Sequence, residues 1–583
     1  MTHGHGHGHG NPDDPERKIT YFATTHTRGK REMFGIRAVD RGKHMYVIGK
    51  TGMGKSTMLE NLAIQDIQNG NGIAFIDPHG SSAEKLLDFV PRERINDVLY
   101  FAPFDVDYPV GFNVMEDVGY DKRHLVVSGL MGAFKRIWVD MWSARMEYIL
   151  QNVLLALLEY PETTLLDVNR MLTNKSFRNA VIEKITDPVV KSFWAEEFAT
   201  YTDRYTQEAT PAIQNKVGQF VSNPLIRNIV GQPKSTFNLR EMMDTKKIFI
   251  VNLSKGRMGE SNAALLGSML TVKIYLAAMS RADEPAARMA KLPRCYFYVD
   301  EFQSMMNEAF ADILSESRKY KLALTLANQY IEQMEENVRN AVFGNVGTLV
   351  TFRVGPFDAE VLKVIFEPTF LPEDLVNLGL GQIYLTLMID GVGSTPFSAD
   401  TIPPIEQPHI SYRDDVIRAT RENFTKTRVE VEKIISKRQL DFAPPASRPK
   451  DNRDERPRQD RPREGAAPHA APLQQPVQRT VPRDTAPVQR PREERPTQHR
   501  DRTTEQSTPA PHLSKNALRD AILSARTNGA TGASPADLIR ARLKSNPERK
   551  PEAEPQKEPV IARPAAPRDE ISPDDLRKIL HGS

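Results

Sequence analysis

The sequence has little of several features that would assign it to a class. Its 583 residues include one cysteine, Cys295, which excludes an internal disulfide framework and a multi-cysteine zinc site and fits a reducing compartment. The formal net charge is +3, so we expect any contact with nucleic acid to come from local patches of charge. No segment approaches the ~20 uninterrupted apolar residues of a membrane helix, and we therefore expect no transmembrane segment.

Both ends of the sequence have compositions that are unusual for a folded domain. Residues 1–16 include alternating His and Gly, as in a purification tag, with a native metal-binding tract as the alternative. Residues 443–583 are rich in Pro and Arg, which predicts disorder because such a segment buries too little apolar surface to offset chain entropy. Three helix-like patterns in this tail begin at Ser514, Ser534 and Ser572. They are either coincidental or motifs that fold on a protein partner.

The region between these ends contains short apolar runs, typical of strands buried on both faces. Helical patterns lie between several of them, which predicts an α/β fold with a mainly parallel central sheet. This α/β region covers 17–120 and 236–410, with an all-α insertion over 121–235 and one long charged helix over 411–442. The expected strands are 45–49, 72–77, 98–101, 248–253, 295–299, 322–327, 348–354 and 383–388.

The phosphate-loop pattern G-x-x-x-x-G-K-[ST] stands between the first expected strand and a helical pattern. Glycines let the backbone wrap closely around phosphate oxygens, and the N–H groups at a helix start supply a positive field. Lys55 would reach the β- and γ-phosphates of ATP, and the Ser56 hydroxyl would hold Mg²⁺. The expected nucleotide site therefore consists of Gly49, Lys50, Thr51, Gly52, Met53, Gly54, Lys55, Ser56 and Thr57.

Two carboxylates follow another strand pattern, in the segment RCYFYVDEFQ. At the end of a buried strand, Asp300 can orient Mg²⁺ through water, and Glu301 can polarise the attacking water as a general base. Together with a phosphate loop, this pair predicts ATP hydrolysis rather than nucleotide binding alone.

Two further polar residues stand at or within apolar strand patterns. Gln329 follows KLALTLAN and can sense the γ-phosphate or hold the attacking water, with an ordinary strand-end turn as the alternative. Arg353 lies in the apolar run 348–354, where a lone arginine is costly unless it is paired. It is either an arginine finger that reaches the nucleotide of a neighbouring subunit or one half of an internal salt bridge.

These residues belong to a set of motifs that resembles one family, the HerA/FtsK group of RecA-like DNA-pumping ATPases. Within that group the resemblance is to the VirD4/TraD-like coupling proteins of type IV secretion. The motifs lie within residues 17–440 and are specific together. They are GKTGMGKST at 49–57, AFIDPHG at 74–80, GFNV at 111–114, WSARMEYILQN at 142–152, IFIVNLSKG at 248–256, YVDEFQ at 298–303, ESRKYKLALTLANQY at 316–330 and LPEDLVNL at 371–378.

The resemblance implies an assembly as well as a fold. The fold would be a RecA-like P-loop NTPase, forming a homo-hexameric ring with ATP and Mg²⁺ at the subunit interfaces, where Arg353 would be the finger. DNA would pass through a central pore. Typical coupling proteins begin with transmembrane helices, and no span precedes the phosphate loop here. We therefore expect a cytoplasmic protein, peripheral to the inner membrane where a partner recruits it to a secretion complex.

The resemblance also implies roles for individual residues, by motif match. Lys55 and Ser56 would bind phosphate and Mg²⁺, Asp300 would be the Walker B carboxylate and Glu301 the catalytic base. Gln329 fits the third motif of the family.

Basic residues in two segments are candidate DNA contacts. The segment LSKGRMGESN carries Lys255 and Arg257 among glycines, which suits a mobile pore loop, and ESRKYK carries Arg318 and Lys319. Phosphate contacts of this kind do not read bases, and the sequence has no helix-turn-helix or zinc-finger pattern. We expect DNA binding without sequence specificity, with an ordinary solvated face as the alternative for both segments.

Three functions remain open at this point. The first is a DNA-translocating ATPase of conjugation or type IV secretion, which the resemblance favours. The second is a VirB4-like ATPase that powers a secretion or pilus machine without threading DNA. The third is a nucleotide-locked docking platform that recruits partners through its tail, against which the Asp300–Glu301 pair argues.

Overall fold

The computed structural model describes residues 15–25, 30–116, 118–138, 142–202, 204, 210–306 and 309–440. The chain divides into two compact units, residues 1–451 and 452–583, and all described residues belong to the first. Most of the tag-like leader, and the whole tail with its three helix-like patterns, therefore lie outside the described residues.

An eleven-stranded sheet forms the framework of the first unit, with the strand order β2-β1-β13-β10-β9-β3-β8-β7-β4-β6-β5. Strands β9, β3, β8, β7, β4, β6 and β5 are parallel neighbours, and the other four continue the sheet in antiparallel pairing beyond β9. The strands, including a separate β11–β12 pair, are β1 Ile19–Thr25, β2 Met33–Arg37, β3 Met45–Ile48, β4 Gly72–Asp77, β5 Val98–Phe101, β6 Ile248–Asn252, β7 Cys295–Val299, β8 Leu322–Asn328, β9 Thr348–Thr351, β10 Gln382–Thr386, β11 Met388–Ile389, β12 Val392–Gly393 and β13 Phe397–Thr401.

The predicted fold class is confirmed, and every expected strand is present. The seven parallel strands are buried at every position, which is why they appear in the sequence as continuous apolar runs. Strands β1, β2 and β13 were not predicted, because part of each is exposed and the apolar run is broken.

Helices cover the sheet and build the insertion. The described residues between β5 and β6 contain helices and no strand, as expected for 121–235. Several of these helices begin at a capping side chain: those of Ser143, Asn174, Asp187 and Asn223 accept from backbone N–H groups one turn on. The insertion helices are α4 Arg123–Ile137, α5 Ala144–Glu159, α6 Asp167–Thr173, α7 Lys175–Lys184, α8 Pro188–Ser192, α9 Pro211–Ser222 and α10 Pro224–Val230.

The remaining helices lie before, between and after the strands. The phosphate-loop pattern leads into α2, as expected. These helices are α1 Ala38–Arg41, α2 Lys55–Gln68, α3 Ser81–Asp88, α11 Leu239–Asp244, α12 Lys255–Met258, α13 Glu260–Met279, α14 Ala286–Lys291, α15 Ala309–Glu316, α16 Glu336–Asn345, α17 Pro356–Phe366, α18 Pro372–Val376, α19 Arg413–Phe424 and α20 Arg428–Leu440.

The expectation of one long helix over 411–442 is wrong, because two helices, α19 and α20, occupy it. Thr425 is extended and bridges to Val110, which ends α19. Thr427 then caps α20: its hydroxyl and N–H both donate to the Glu430 carboxylate, and the Glu430 N–H donates back to the Thr427 hydroxyl. This is the capping box of a helix start, so the T-x-x-E pattern in the sequence marks the break.

One helix in the described part of the chain, α13 with the turn that continues to Asp283, is long and apolar enough to cross a membrane by length and composition. Of its most apolar window, 78% is buried inside the protein. Burial on that scale is typical of a core helix, and α4 packs directly on it: a Cβ added to Gly129 would lie 2.4 Å from Val272.

A buried histidine, His44, stands just before β3 with both ring nitrogens in use. Nδ1 accepts from the Leu324 N–H at 3.1 Å, so Nε2 carries the proton toward the Leu314 carbonyl at 3.2 Å. Burial lowers the pKa of His44 to about 4, the Leu314 carbonyl opposes this, and the charges of Arg318 and Arg294 lower the pKa further. The folded protein therefore holds a neutral imidazole that the unfolded chain protonates near pH 6.5.

We expect this group to make the fold acid-sensitive. The pKa of His44 is lower in the folded protein than in the unfolded chain. Its contribution to the free energy of unfolding, about 3 kcal/mol, is therefore fully present above pH ~6.5 and is lost as the pH falls toward 4. The variant His44→Asn tolerates the left-handed backbone, φ 64°, and cannot titrate. Its urea midpoint should fall less between pH 7 and pH 4.5 than that of the wild type. Equal falls would show that His44 is not the titrating group.

Candidate nucleotide-binding site

The phosphate loop joins β3 to α2 at the carboxyl edge of the parallel strands. Gly52 and Gly54 have φ values of 76° and 116°, in the left-handed region that favours glycine. A Cβ on Gly54 would also lie 3.2 Å from the Phe352 ring. The loop is tied to the segment that follows β9, because the Lys50 N–H donates to the Arg353 carbonyl at 2.8 Å.

Lys55 is the first residue of α2, and its ammonium points back across the loop. Nζ donates to the carbonyls of Gly49 at 2.6 Å and Lys50 at 3.1 Å. Burial lowers the pKa of Lys55, and the negative charges of Glu301 and Asp300 oppose this. The loop thus holds a buried cation inside its own curve, beside two carboxylates, where phosphate oxygens would be received.

Ser56 connects the loop to the end of β7. Its hydroxyl donates to Oδ2 of Asp300 at 2.9 Å across 244 positions of sequence, and the next residue, Thr57, is half-buried. Burial raises the pKa of Asp300; the Ser56 hydrogen bond opposes this, and the carboxylates of Asp77 and Glu301 raise the pKa further. A cation placed here would relieve the repulsion among these carboxylates.

The donor set around Ser56 and Asp300 fits Mg²⁺. Magnesium prefers oxygen ligands and is usually bound through one or two carboxylates, substrate phosphates and water rather than by a protein cage. Within the described ranges, no group of three or more His, Cys, Asp and Glu side chains forms such a cage. One hydroxyl and one buried carboxylate next to a phosphate loop match the first arrangement.

Glu301 follows Asp300 in a left-handed backbone conformation, φ 47°, which is uncommon for a residue other than glycine. Its N–H donates to Oδ1 of Asp300 at 2.9 Å. Its carboxylate accepts a hydrogen bond from the side-chain amide of Gln303. Sequence reasoning missed Gln303, although it stands two residues on in the same motif.

Gln329, at the end of β8, lies against the phosphate loop. Its side-chain amide donates to the Thr51 hydroxyl and, at 3.3 Å, to the Tyr330 hydroxyl. The buried Asn328 supports it, because Asn328 Oδ1 accepts from the Gln329 N–H at 2.9 Å. A polar residue directly after β8, the strand that separates β3 from β7, therefore reaches the loop. Asn328 was also missed, and the polar end of an apolar run was its only signal.

Arg353 lies beyond β9 rather than within it, because the strand ends at Thr351. The chain turns there, the Arg353 carbonyl accepts from Lys50, and the side chain is exposed. Among the described residues Arg353 forms no ion pair, so the internal salt bridge, the alternative to an arginine finger, is not seen. Its backbone carbonyl, and not its side chain, is the group that bonds to the phosphate loop.

The four candidate DNA contacts do not form one patch. Lys255 and Arg257 follow β6 at the carboxyl edge of the sheet, whereas Arg318 and Lys319 precede β8 at the opposite edge. Lys255 Nζ donates to the Ser304 hydroxyl at 3.3 Å. The other contacts of this set are Arg257 with Glu84 at 3.4 Å and over the Phe104 ring at 4.3 Å, and Lys319 with Glu316 at 2.6 Å.

Solved structures to which the chain is similar include two of coupling proteins. One is the bacterial conjugative coupling protein TrwBdeltaN70 in its unbound monoclinic form, at 14% identity, covering 64% of this chain and 88% of that chain with a TM-score of 0.47. Another is the plasmid coupling protein TrwB in complex with ADP and Mg²⁺, at 15% identity, 66% and 90% coverage and a TM-score of 0.47. A third is VirB4 of Thermoanaerobacter pseudethanolicus, at 13% identity, 64% and 94% coverage and a TM-score of 0.43.

Sequence comparison adds one family and no individual relative. No curated protein sequence matches the chain at a significant level. A family model described as the type IV secretion-system coupling protein DNA-binding domain matches residues 36–361. That match covers more than half of the 583 residues, including the phosphate loop and the Asp300–Glu301 pair. The chain therefore belongs to the family of type IV secretion-system coupling protein DNA-binding domains.

Proposed function

We propose that this protein is an ATP-driven motor that moves DNA in conjugation or type IV secretion. The observation that carries the proposal is the 2.9 Å hydrogen bond between Ser56 and Asp300, which brings together the two segments that a magnesium-bound triphosphate requires. The adjacent Glu301 adds the general base that ATP hydrolysis requires and that nucleotide binding alone does not. Membership of a DNA-binding coupling family supports DNA as the second ligand.

Each group around the loop has a defined task in the proposed ATPase. Loop N–H groups and the Lys55 ammonium bind the β- and γ-phosphates, while Ser56 and Asp300 hold Mg²⁺. When bound, Mg²⁺ neutralises negative charge on the phosphates. Glu301 orients the attacking water and accepts its proton as the water oxygen bonds to the γ-phosphorus and the bond to the ADP oxygen breaks. Gln329, whose amide lies against the loop, senses whether the γ-phosphate is present.

The proposed DNA contact is the α12 segment, 255–258. It carries two basic side chains and lies at the same edge of the sheet as the nucleotide site. Lys255 is only partly buried and its hydrogen bond to Ser304 is a long one, so its ammonium is available to a phosphate. Arg318 and Lys319, at the other edge, are not in a position to share that contact.

Steady-state ATPase measurements on the purified protein with single-stranded DNA, duplex DNA and no DNA test the proposal. We expect DNA to raise turnover, and the Lys255→Ala, Arg257→Ala double variant to lose that stimulation while it still hydrolyses ATP. Turnover that ignores both DNA forms and responds to a protein partner would favour the VirB4-like function. Tight ATP binding with background turnover would favour the docking platform.

A ring of identical subunits is part of this proposal, and an exposed apolar stripe supports it. Phe357, Val361 and Val364 lie one turn apart on α17 with exposures of 75%, 40% and 89%. This helix begins just after Arg353, which is exposed and whose carbonyl accepts from Lys50 of the loop. Apolar side chains at helical spacing next to a candidate finger are typical of a subunit interface.

We expect the Phe357→Ser, Val364→Ser double variant to assemble less than the wild type at equal concentration, as measured by sedimentation velocity. Loss of the buried apolar area would weaken each interface by about 3 kcal/mol. The matched control is Val189→Ser, a 75% exposed valine on the insertion, which should assemble normally. Unchanged assembly of the double variant would place the interface elsewhere.

The tail supplies the proposed link to protein partners. Its three helix-like patterns each place a leucine four residues after a capping serine, a spacing that suits a short helix docking into a groove. We propose that such docking recruits the motor to a membrane secretion complex from the cytoplasmic side.

A further inference from the structure

The short turn that follows β7, residues 301–304, is held by side chains from two other segments of the chain. We call it the Glu301–Ser304 turn. Arg136 reaches it from the end of α4 in the helical insertion, and Lys255 reaches it from α12. Neither segment belongs to the phosphate loop or to β7. The turn that carries the candidate base is therefore in contact with the insertion and with the proposed DNA contact.

Gln303 is the residue of this turn that touches the base. Its side chain is 8% exposed, and its amide nitrogen donates to the Glu301 carboxylate. A carboxylate only accepts hydrogen bonds, which fixes the orientation of the amide with its nitrogen toward Glu301. Among the described residues the buried amide oxygen has no partner, so the bond to Glu301 is what holds the amide in place.

Arg136 fixes the backbone of Gln303. Its guanidinium donates to the Gln303 carbonyl at 2.9 Å and also lies 3.9 Å from the Glu335 carboxylate. Arg136 is the next-to-last residue of α4, so a shift of that helix moves the donor directly. The guanidinium thereby ties the end of an insertion helix to the residue that holds the base.

The contact from α12 enters the turn at its other end. Lys255 Nζ donates to the Ser304 hydroxyl at 3.3 Å, and that hydroxyl donates to the Glu301 carbonyl at 2.7 Å. A phosphate that drew the Lys255 ammonium away would leave Ser304 with its bond to Glu301 alone. Thus α12 and the insertion each connect to Glu301 through one intermediate residue. Lys255 does so through Ser304 and the Glu301 carbonyl, and Arg136 through Gln303 and the Glu301 carboxylate.

We infer that Gln303 is a positioning residue for Glu301. Through Arg136 and Lys255, the position of Glu301 depends on the insertion and on the DNA-contact segment. This inference rests on the proposed ATPase function and specifies its regulation: movement of either segment sets whether the carboxylate is placed for attack on the γ-phosphate. Placement matters because a misplacement of about 1 Å at a reacting group costs up to ~10²-fold in rate.

The test is steady-state ATPase of the full chain, with and without DNA, for Arg136→Ala, Arg136→Lys, Gln303→Ala and the isosteric Gln303→Glu. We expect Arg136→Ala and Gln303→Ala to lower kcat with DNA roughly ten-fold, with the KM for ATP unchanged and the ratio of DNA-stimulated to basal turnover reduced. Arg136→Lys should recover most of the loss, because an ammonium can still donate to one carbonyl. Gln303→Glu should lose the most, because it sets a like charge against Glu301.

Two controls keep this result separate from other causes. Lys184→Ala, an exposed lysine on the insertion, should behave as wild type, and Glu301→Gln in the same assay reports on the proposed function itself. If wild type hydrolyses ATP and Glu301→Gln does not, values of kcat and stimulation within two-fold of wild type in both Arg136→Ala and Gln303→Ala would overturn the inference alone. A parallel loss of ATP affinity, or no rescue by Arg136→Lys, would also overturn it. If wild type itself shows no turnover, it is the proposed function that fails.

Discussion

The variant Lys55→Ala is expected to lose ATP turnover by roughly 10²–10³-fold and to bind nucleotide weakly. The ammonium spans the loop between the Gly49 and Lys50 carbonyls, and burial lowers its pKa. That arrangement keeps a cation aimed into the loop, hydrogen-bonded only to two neutral carbonyls. Triphosphate would supply the anion, and its binding would release the ammonium from two neutral carbonyls to charged oxygens. The alanine variant has no ammonium to bind the phosphate oxygens, so it loses this interaction in both the ground state and the transition state.

Nucleotide affinity by fluorescence titration and turnover under saturating ATP together check this expectation. Lys184→Ala is the matched control, because it removes an exposed lysine of the same charge far along the sequence. Melting curves without nucleotide should show that Lys55→Ala is folded, which separates loss of the phosphate contact from loss of the fold. Wild-type affinity in Lys55→Ala would mean that the triphosphate is held somewhere other than this loop.

The candidate nucleotide site could be proposed from the sequence because its parts are local. A phosphate loop needs its glycines and lysine within one turn, and the two carboxylates directly follow a buried strand that appears as an uninterrupted apolar run. The parallel sheet could be predicted for the same reason. Because carboxyl ends of parallel strands share one edge, the meeting of Ser56 with Asp300 followed from the strands that precede them, β3 and β7.

Features that depend on backbone conformation or on distant partners could not be predicted. The left-handed backbone of Glu301 turns Gln303 back onto the base, and hydrophobic periodicity carries no signal for such a φ value. The contact of Arg136 with that turn joins segments far apart in sequence, which spacing cannot reveal. Arg353 seemed to belong to a strand because the apolar run continues past it, whereas the chain leaves the sheet to bond with the loop.

The variant Glu301→Gln should distinguish most clearly between a protein that hydrolyses ATP and one that only binds it. It keeps the size of the side chain and the left-handed backbone but removes the carboxylate that would accept the proton of the attacking water. General-base catalysis of this kind contributes ~10²–10⁴-fold, so turnover should fall by that order while ATP and Mg²⁺ still bind. Glu373→Gln, the same substitution at an exposed carboxylate on α18, is the matched control and should be fully active.

The informative quantity is the ratio between binding and turnover in Glu301→Gln. Lys55, Ser56 and Asp300 are intact, so the triphosphate site is complete and the variant should accumulate with ATP uncleaved. If the ring forms around bound nucleotide, Glu301→Gln with uncleaved ATP should also have the largest assembled fraction. Sedimentation velocity in the presence of ATP would detect it. Equal loss of binding and turnover would show instead that Glu301 shapes the pocket, and the base would have to be sought among the other polar residues at this edge of the sheet.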